Sequence, residues 1–221
     1  MKKLFQAIRQ GDIETVRQLL EKKPELISCT AKQPPKKDDG QSPLQVALKT
    51  GNLEIAELLL DLGADVQFME SADCCNDWRA PVIHDAINAA IMLSRWNVNS
   101  EQMYGGIHVF HSKDEADKAY HILERMIDMG SDVNAEDSHG NTCIWRACLQ
   151  ARQILPTYDH QKHELGTDRI LTPELTEDLK RIFILLYENG MDADHVKQGI
   201  NMSAREFYKD EPVAQFLHFD S

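Results

Sequence analysis

The sequence predicts an all-α solenoid, a single domain of stacked helix-turn-helix units closed by polar turns. Three observations lead there. From Asp39 to Val66 the apolar residues fall at helical spacing in two short runs, first Leu44, Ala47 and Leu48, then Leu53, Ile55, Ala56, Leu58, Leu59 and Leu60. Gly51 and Gly63 stand where each helix must stop, and Asn52 is an N-cap residue type for the second. Most of the remaining chain reads as better or worse copies of the same stretch. One such unit cannot bury its own apolar face, so it must stack on neighbours.

In chain order, Leu4, Ala7, Gly11 and Asp12 repeat the first helix and turn, while Val16, Leu19 and Leu20 take the places of Ala56, Leu59 and Leu60. Lys2, Lys3, Gln6, Arg9 and Gln10 supply the polar outer side that a terminal unit needs. The segment from Ser28 to Asp39, with Pro34-Pro35-Lys36-Lys37, reads as a long mobile finger with a basic spot at Lys32, Lys36 and Lys37. In the central copy, Ser42-Pro43-Leu44-Gln45-Val46-Ala47 resembles the ankyrin T-P-L-H-x-A signature, and Gly63-Ala64-Asp65-Val66 is similar to the G-A-D-V/I that closes an ankyrin repeat. The two linked signatures imply an ankyrin-repeat solenoid over nearly the whole chain, and by fold-level analogy a role in binding another protein.

The next two copies are stretched. Pro81-Val82-Ile83-His84-Asp85-Ala86 and Thr142-Cys143-Ile144-Trp145-Arg146-Ala147 both resemble the signature. Ile83 to Gly130 takes 47 positions and Ile144 to Gly190 takes 46, against 19 from Leu44 to Gly63, an excess of 46 − 19 = 27 or more. Apolar spacing carries the first helix of the third copy on toward Trp96; Ser112-Lys113-Asp114-Glu115 caps a long second helix, and a small hairpin is expected between Asn97 and His111. In the fourth copy the first helix should end before Pro156 and the second restart at Thr172-Pro173-Glu174. Repeats are therefore expected at about 1–38, 39–78, 79–136 and 137–196, with a cap at about 197–221 and insertions at about 94–112 and 152–172. The insertions should lie side by side at the end of the stack away from the fingers.

Composition narrows the function. The formal net charge is −12, with 36 acidic and 24 basic residues, which repels phosphate backbones and speeds encounter with a basic partner; solubility alone would also account for it. Gln6, Arg9, Gln10 and Asp12 interrupt any apolar run after Met1-Lys2-Lys3, and no stretch is long and apolar enough for a membrane, so no export signal and no membrane role are expected. Five cysteines, among them the adjacent Cys74-Cys75 and the pair Cys143 and Cys148, form no disulfide framework and fit a reducing, cytoplasmic setting.

No phosphate-loop, dinucleotide-binding, serine-hydrolase, zinc-protease or paired C-x-x-C motif is present, so no catalytic residues and no cofactor are assigned. His108 and His111 in the first insertion could meet His160 and His163, with Asp159 and Glu164, around a metal; the plainer reading makes these histidines polar loop residues that stitch the two loops together. His84 stands at the histidine of the signature, where the resemblance implies a hydrogen-bonded bridge between neighbouring turns. Trp145 replaces that histidine in the fourth copy and is expected to fill space near the insertions.

The resemblance also implies a recognition surface made of finger tips and the exposed face of each first helix, here Gln41, Gln45, Trp78, Arg79, Asp85, Ser138, His139, Asn141 and Arg146. Tryptophan and arginine dominate binding hot spots, which puts Trp78, Arg79 and Arg146 first. The rival surface is the insertion pair, with Trp96, Tyr104, Phe110 and Tyr158, unless those rings form a private core. Three functions follow: a non-enzymatic protein-binding adaptor; a dedicated inhibitor or immunity protein neutralising a basic toxin or nuclease, suggested by the charge; and a metal-dependent module using the inserted loops.

Overall fold

The computed structural model describes residues 1–218. Helices α1 (Lys2–Gln10) and α2 (Ile13–Lys22) form the first pair, α3 (Pro43–Lys49) and α4 (Leu53–Asp61) the second. The third pair is α5 (Val82–Met92) and, after the segment β1 (Asn97–Ser100), α6 (Glu101–Tyr104) and β2 (Gly106–Val109), the long α7 (Lys113–Asp128). The fourth joins α8 (Cys143–Ala151) to α9 (Pro173–Glu188) across the short strands β3 (Tyr158–Asp159) and β4 (Glu164–Leu165). A last hairpin, β5 (Val196–Lys197) with β6 (Met202–Ser203), leads into α10 (Ala204–Phe207) and a 3-10 turn at Pro212–Phe216.

The pairs stack into a helical solenoid. One row runs α1, α3, α5, α8 and α10; the other runs α2, α4, α7 and α9. Between the rows lies one continuous apolar core, from Leu4 and Ile8 through Leu44, Leu59, Ile83 and Ile87 to Trp145, Phe183 and Phe216. Each helix contributes one apolar stripe that no single pair could cover, which is the physical reason for stacking.

Starts and stops follow local chemistry. Ser42 and Gln45 close a reciprocal capping box at the start of α3, as do Ser112 and Glu115 on α7 and Ser203 and Glu206 on α10. Thr172 caps α9, with Pro173 at its first position. Gly51 has the left-handed φ expected of it, 69°. Asn52 departs from expectation. It occupies the N-cap position of α4 but makes no cap bond; its Nδ2 donates to the Ile8 carbonyl at 2.7 Å, tying the second pair to the first.

Three features correct the sequence reading. The chain is not purely α: among the described residues three small antiparallel hairpins decorate the helices, including the one expected between Asn97 and His111. Helix α5 stops at Met92 instead of running on toward Trp96, because the backbone N–H of Arg95 turns out to donate to Asp178 on α9 at 2.9 Å. The two inserted segments do adjoin, but asparagines and not histidines stitch them. Asn97 exchanges hydrogen bonds with the backbone of Ile170 (2.7 and 2.9 Å), and Asn99 donates from its backbone to Asp168 O (2.8 Å) and from its side chain to Thr167 O (3.1 Å).

Two fingers close on one another at Gly40. Its φ of 84° favours glycine, and an added Cβ would stand 2.4 Å from Cys74 Cβ. Gly40→Ala is therefore expected to cost more than about 1 kcal/mol, read as a lower urea midpoint at unchanged slope. A wild-type midpoint would contradict the close approach.

Candidate partner-binding surface

The fingers before α3, α5 and α8 lie side by side, and their polar side chains are mostly spent on one another. Gln45, in the first turn of α3, donates Nε2 to Asp85 Oδ2 at 2.9 Å, Glu70 Oε1 at 3.3 Å and the Ala80 carbonyl at 3.3 Å. Gln41 donates to the same Glu70 oxygen at 2.7 Å, and Glu70 Oε2 accepts from Ala80 N. Gln41, Gln45, Asp85 and Asn141, expected on an exposed face, are all buried. The first turns of successive units meet so closely that these groups must satisfy each other, since unpaired buried polar atoms are costly. They hold the fingers in place.

Burial also sets the charge of this network. It pushes the Asp85 carboxyl up to about 7, opposed by Lys49 and by the hydrogen bond from Gln45. Next to it, His84 is driven down to about 4, again by burial, so its ring is neutral and donates Nε2–H to the Ala135 carbonyl at 3.0 Å. That is the turn-to-turn bridge the signature implies.

Trp78 and Arg146 remain at the surface. The indole is 41% exposed, its Nε1 donates to Asp137 Oδ2 at 2.8 Å, and the half-buried Arg146 guanidinium lies 4.8 Å from the ring centroid. Burial works against the charge of Asp137, but hydrogen bonds from Asn141, Trp78 and His139 outweigh it and hold the carboxyl below its usual range. Arg146, whose charge burial disfavours, has no partner at Nε among the described residues. Ser138 locks the second finger to the third: its N–H donates to Arg79 O (2.9 Å) and its Oγ accepts from Arg79 N (3.0 Å). His139 stays exposed. Below Trp78 opens a cleft of about 450 Å³, walled by Lys36, Lys37, Lys49, Asp77 and the buried Glu70 and Asp85.

Sequence reasoning thus found the rim and missed part of the wall. Lys49 and Glu70 were not singled out, since a lysine ending a short helix and an acid in a turn carry no local signal of what they face.

The insertion residues divide into two groups. Trp96 stacks on Phe110 at 4.2 Å and Tyr104 on His108 at 4.6 Å, a small aromatic cluster beneath exposed Met103 and Ile107. Tyr158 makes its ring contacts with His160 and His163 of its own loop. The histidines do not converge: His111 faces Glu115 (3.6 Å), His160 faces Glu211 (3.3 Å) and His163 meets the Tyr158 hydroxyl (3.2 Å). Among the described residues no group of histidine, cysteine and acid side chains is arranged to hold a metal. Trp145 also departs from expectation, packing on Phe207 and Tyr208 with Lys197 over its ring, because α10 follows α8 in the stack.

No curated protein matches the chain. The family model for ankyrin repeats (3 copies) matches residues 2–90, the stretch that holds α1 to α4 and most of α5. Ankyrin repeats are generally protein–protein interaction modules and typically non-enzymatic. The paired helices, the signature of the second pair, the histidine bridge and this match agree: ankyrin repeats are detected at residues 2–90.

Proposed function

We propose that the chain is a non-catalytic binding module that engages a protein partner at its fingers, with Trp78, Arg79 and Arg146 as the central contacts and Ser138 and His139 beside them. The observation that carries this reading is the Trp78–Arg146 stack, an exposed indole beside a half-buried guanidinium, with the indole on the wall of a cleft. Both residue types concentrate binding energy when a partner excludes water from them. The helix pairs support repeats at about 1–38, 39–78, 79–136 and 137–196, the last two enlarged, with a closing cap from about 197 of which 219–221 lie outside the described residues. No described helix is long and apolar enough to cross a membrane, and the cysteines among the described residues are free, which suits the cytoplasm. The net charge of −12 is the one feature favouring an inhibitor of a basic toxin or nuclease.

Capture from cells of the source organism, followed by mass spectrometry and titration of the recovered partner, tests the site. Trp78→Ala and Arg146→Ala are each expected to weaken binding at least about tenfold, some 1.4 kcal/mol, while Tyr104→Ala leaves it unchanged. The reverse pattern would move the site to the insertion hairpin.

A further inference from the structure

The inserted hairpin leaves one strand edge bare. Phe110 N donates across the hairpin to Trp96 O at 3.0 Å, whereas Asn99 N turns away from β2 to Asp168 O at 2.8 Å. Opposed residues of an antiparallel pair alternate between bonding each other and facing outward. With Asn97 opposite Val109 and Asn99 opposite Ile107, the N–H and C=O groups of Ile107 and Val109 therefore point away from β1. No other described segment bonds to them. The far edge of β1 is occupied, because Asp168 and Ile170 of the second insertion lie along it.

Side chains sharpen the contrast. Trp96, Tyr104, His108 and Phe110 cluster on one face of the hairpin, which puts Ile107 and Val109 on the other, 54% and 49% exposed. Between 102 and 112 the chain has no lysine, arginine, aspartate, glutamate or proline, and the pairing of β1 with β2 runs without a bulge. Exposed edges normally carry a charge, a proline or a bulge that keeps other strands off. This edge carries none of them.

We infer that β2 pairs antiparallel with β2 of a second copy of this chain, across a two-fold axis beside His108. The edge is its own complement. In this register Ile107 stands opposite Val109 of the partner subunit and Val109 opposite Ile107 of the partner subunit, so every outward N–H finds an outward C=O. The apolar side chains of these residues meet on one face, with no charged group between them. A slip of two residues would instead set Val109 against the turn at Gly105 and leave half of the outward groups unmatched. So short a pair falls below the about 1,200 Å² of a standard interface, which sets the association in the range of about 1–100 µM. Trp78, Arg79 and Arg146 take no part, so the inference is independent of the finger site.

Sedimentation velocity of the full chain from about 1 to about 300 µM tests it. A monomer–dimer equilibrium is expected, and added salt should tighten it severalfold because two copies of net charge −12 repel each other. Val109→Pro removes an outward N–H that β1 does not use, so the hairpin should stand while the dimer weakens at least about tenfold. Ile107→Glu, which removes the apolar pair and adds a charge to the edge, should do the same, and Trp78→Ala should change nothing. Urea midpoints and far-ultraviolet circular dichroism check that the variants fold. Amide hydrogen exchange read by mass spectrometry should slow over 105–111 as wild-type concentration rises.

A wild-type chain that stays monomeric throughout overturns the inference. A dimer that ignores both Val109→Pro and Ile107→Glu, or one that Trp78→Ala abolishes, overturns it by placing the contact elsewhere. Capture of a different protein that Ile107→Glu abolishes, with no dimer, overturns the second copy as occupant and gives the edge to that protein.

Discussion

Replacing Arg95 by alanine is expected to remove about 3 kcal/mol of folding stability. Arg95 leaves the end of α5 and grips Asp178 on α9 with two parallel hydrogen bonds, from Nε at 2.9 Å and from a terminal nitrogen at 2.8 Å, while that terminal nitrogen also meets Glu177 at 2.8 Å. The Asp178 side chain is only 1% exposed. Truncation would strand it in a dry setting with one remaining cation, Arg181, at 3.2 Å. The planar guanidinium fork matches the carboxylate in a way a single ammonium cannot, so Arg95→Lys should recover only part of the loss. Urea unfolding of the three proteins measures this. Because Arg95 also anchors the start of the inserted segment, limited proteolysis in Arg95→Ala should cut first between 97 and 111. A wild-type midpoint for Arg95→Ala would show that the pair contributes nothing net.

Two neighbouring residues on α5 should give opposite pH dependences. His84 is held near 4 in the folded state against 6.5 when unfolded, so between these values the folded protein binds fewer protons and stability rises with pH. Asp85 is held near 7 against 3.8, so the folded protein binds more protons across that span and stability falls as pH rises. Each arm is on the order of 3 kcal/mol. From about pH 4 to 6.5 they nearly cancel, and only the Asp85 arm acts from there to about 7. His84 faces the Ala135 carbonyl with Asp137 and Arg146 nearby; Asp85 faces Gln45 and Glu70, with Lys49 and Arg146 as its nearby cations. His84→Gln keeps a donor for Ala135 O and should leave stability falling with pH across the whole span. Asp85→Asn keeps an acceptor for Gln45 and should leave stability rising to about 6.5. Unfolding midpoints measured from pH 4.5 to 7.5 separate them, and parallel profiles for the two variants would refute the assignment.

Much of the fold was legible because its signals are local. Glycine at a left-handed turn, serine three residues before glutamate, and proline after threonine each act through their own backbone, so the starts at Ser112 and Thr172 and the stop at Gly51 could be placed from spacing alone. Where a side chain acts across the stack, the same reasoning failed. Asn52 has the residue type of an N-cap but reaches Ile8, and Arg95 ends a helix early because Asp178, 83 positions later, accepts its N–H. Of the proposed contacts, Trp78 and Arg146 were named for their residue type, and the structure stacks them. Gln41, Gln45, Asp85 and Asn141 were named by analogy with an exposed face, and the structure buries them in a network whose key acceptor, Glu70, gives no sign in the sequence.

By itself the sequence determined the repeating unit, its helix pairs, many of the places where they begin and end, and the fact that they must stack, because helical periodicity and capping are properties of residues a few positions apart. Only the tertiary structure decided which polar groups face inward. That choice depends on how closely adjacent fingers pack and on which buried groups can satisfy one another, and it is what hides Glu70, Asp85 and Asp137 between the fingers and leaves the Trp78 ring exposed beside Arg146.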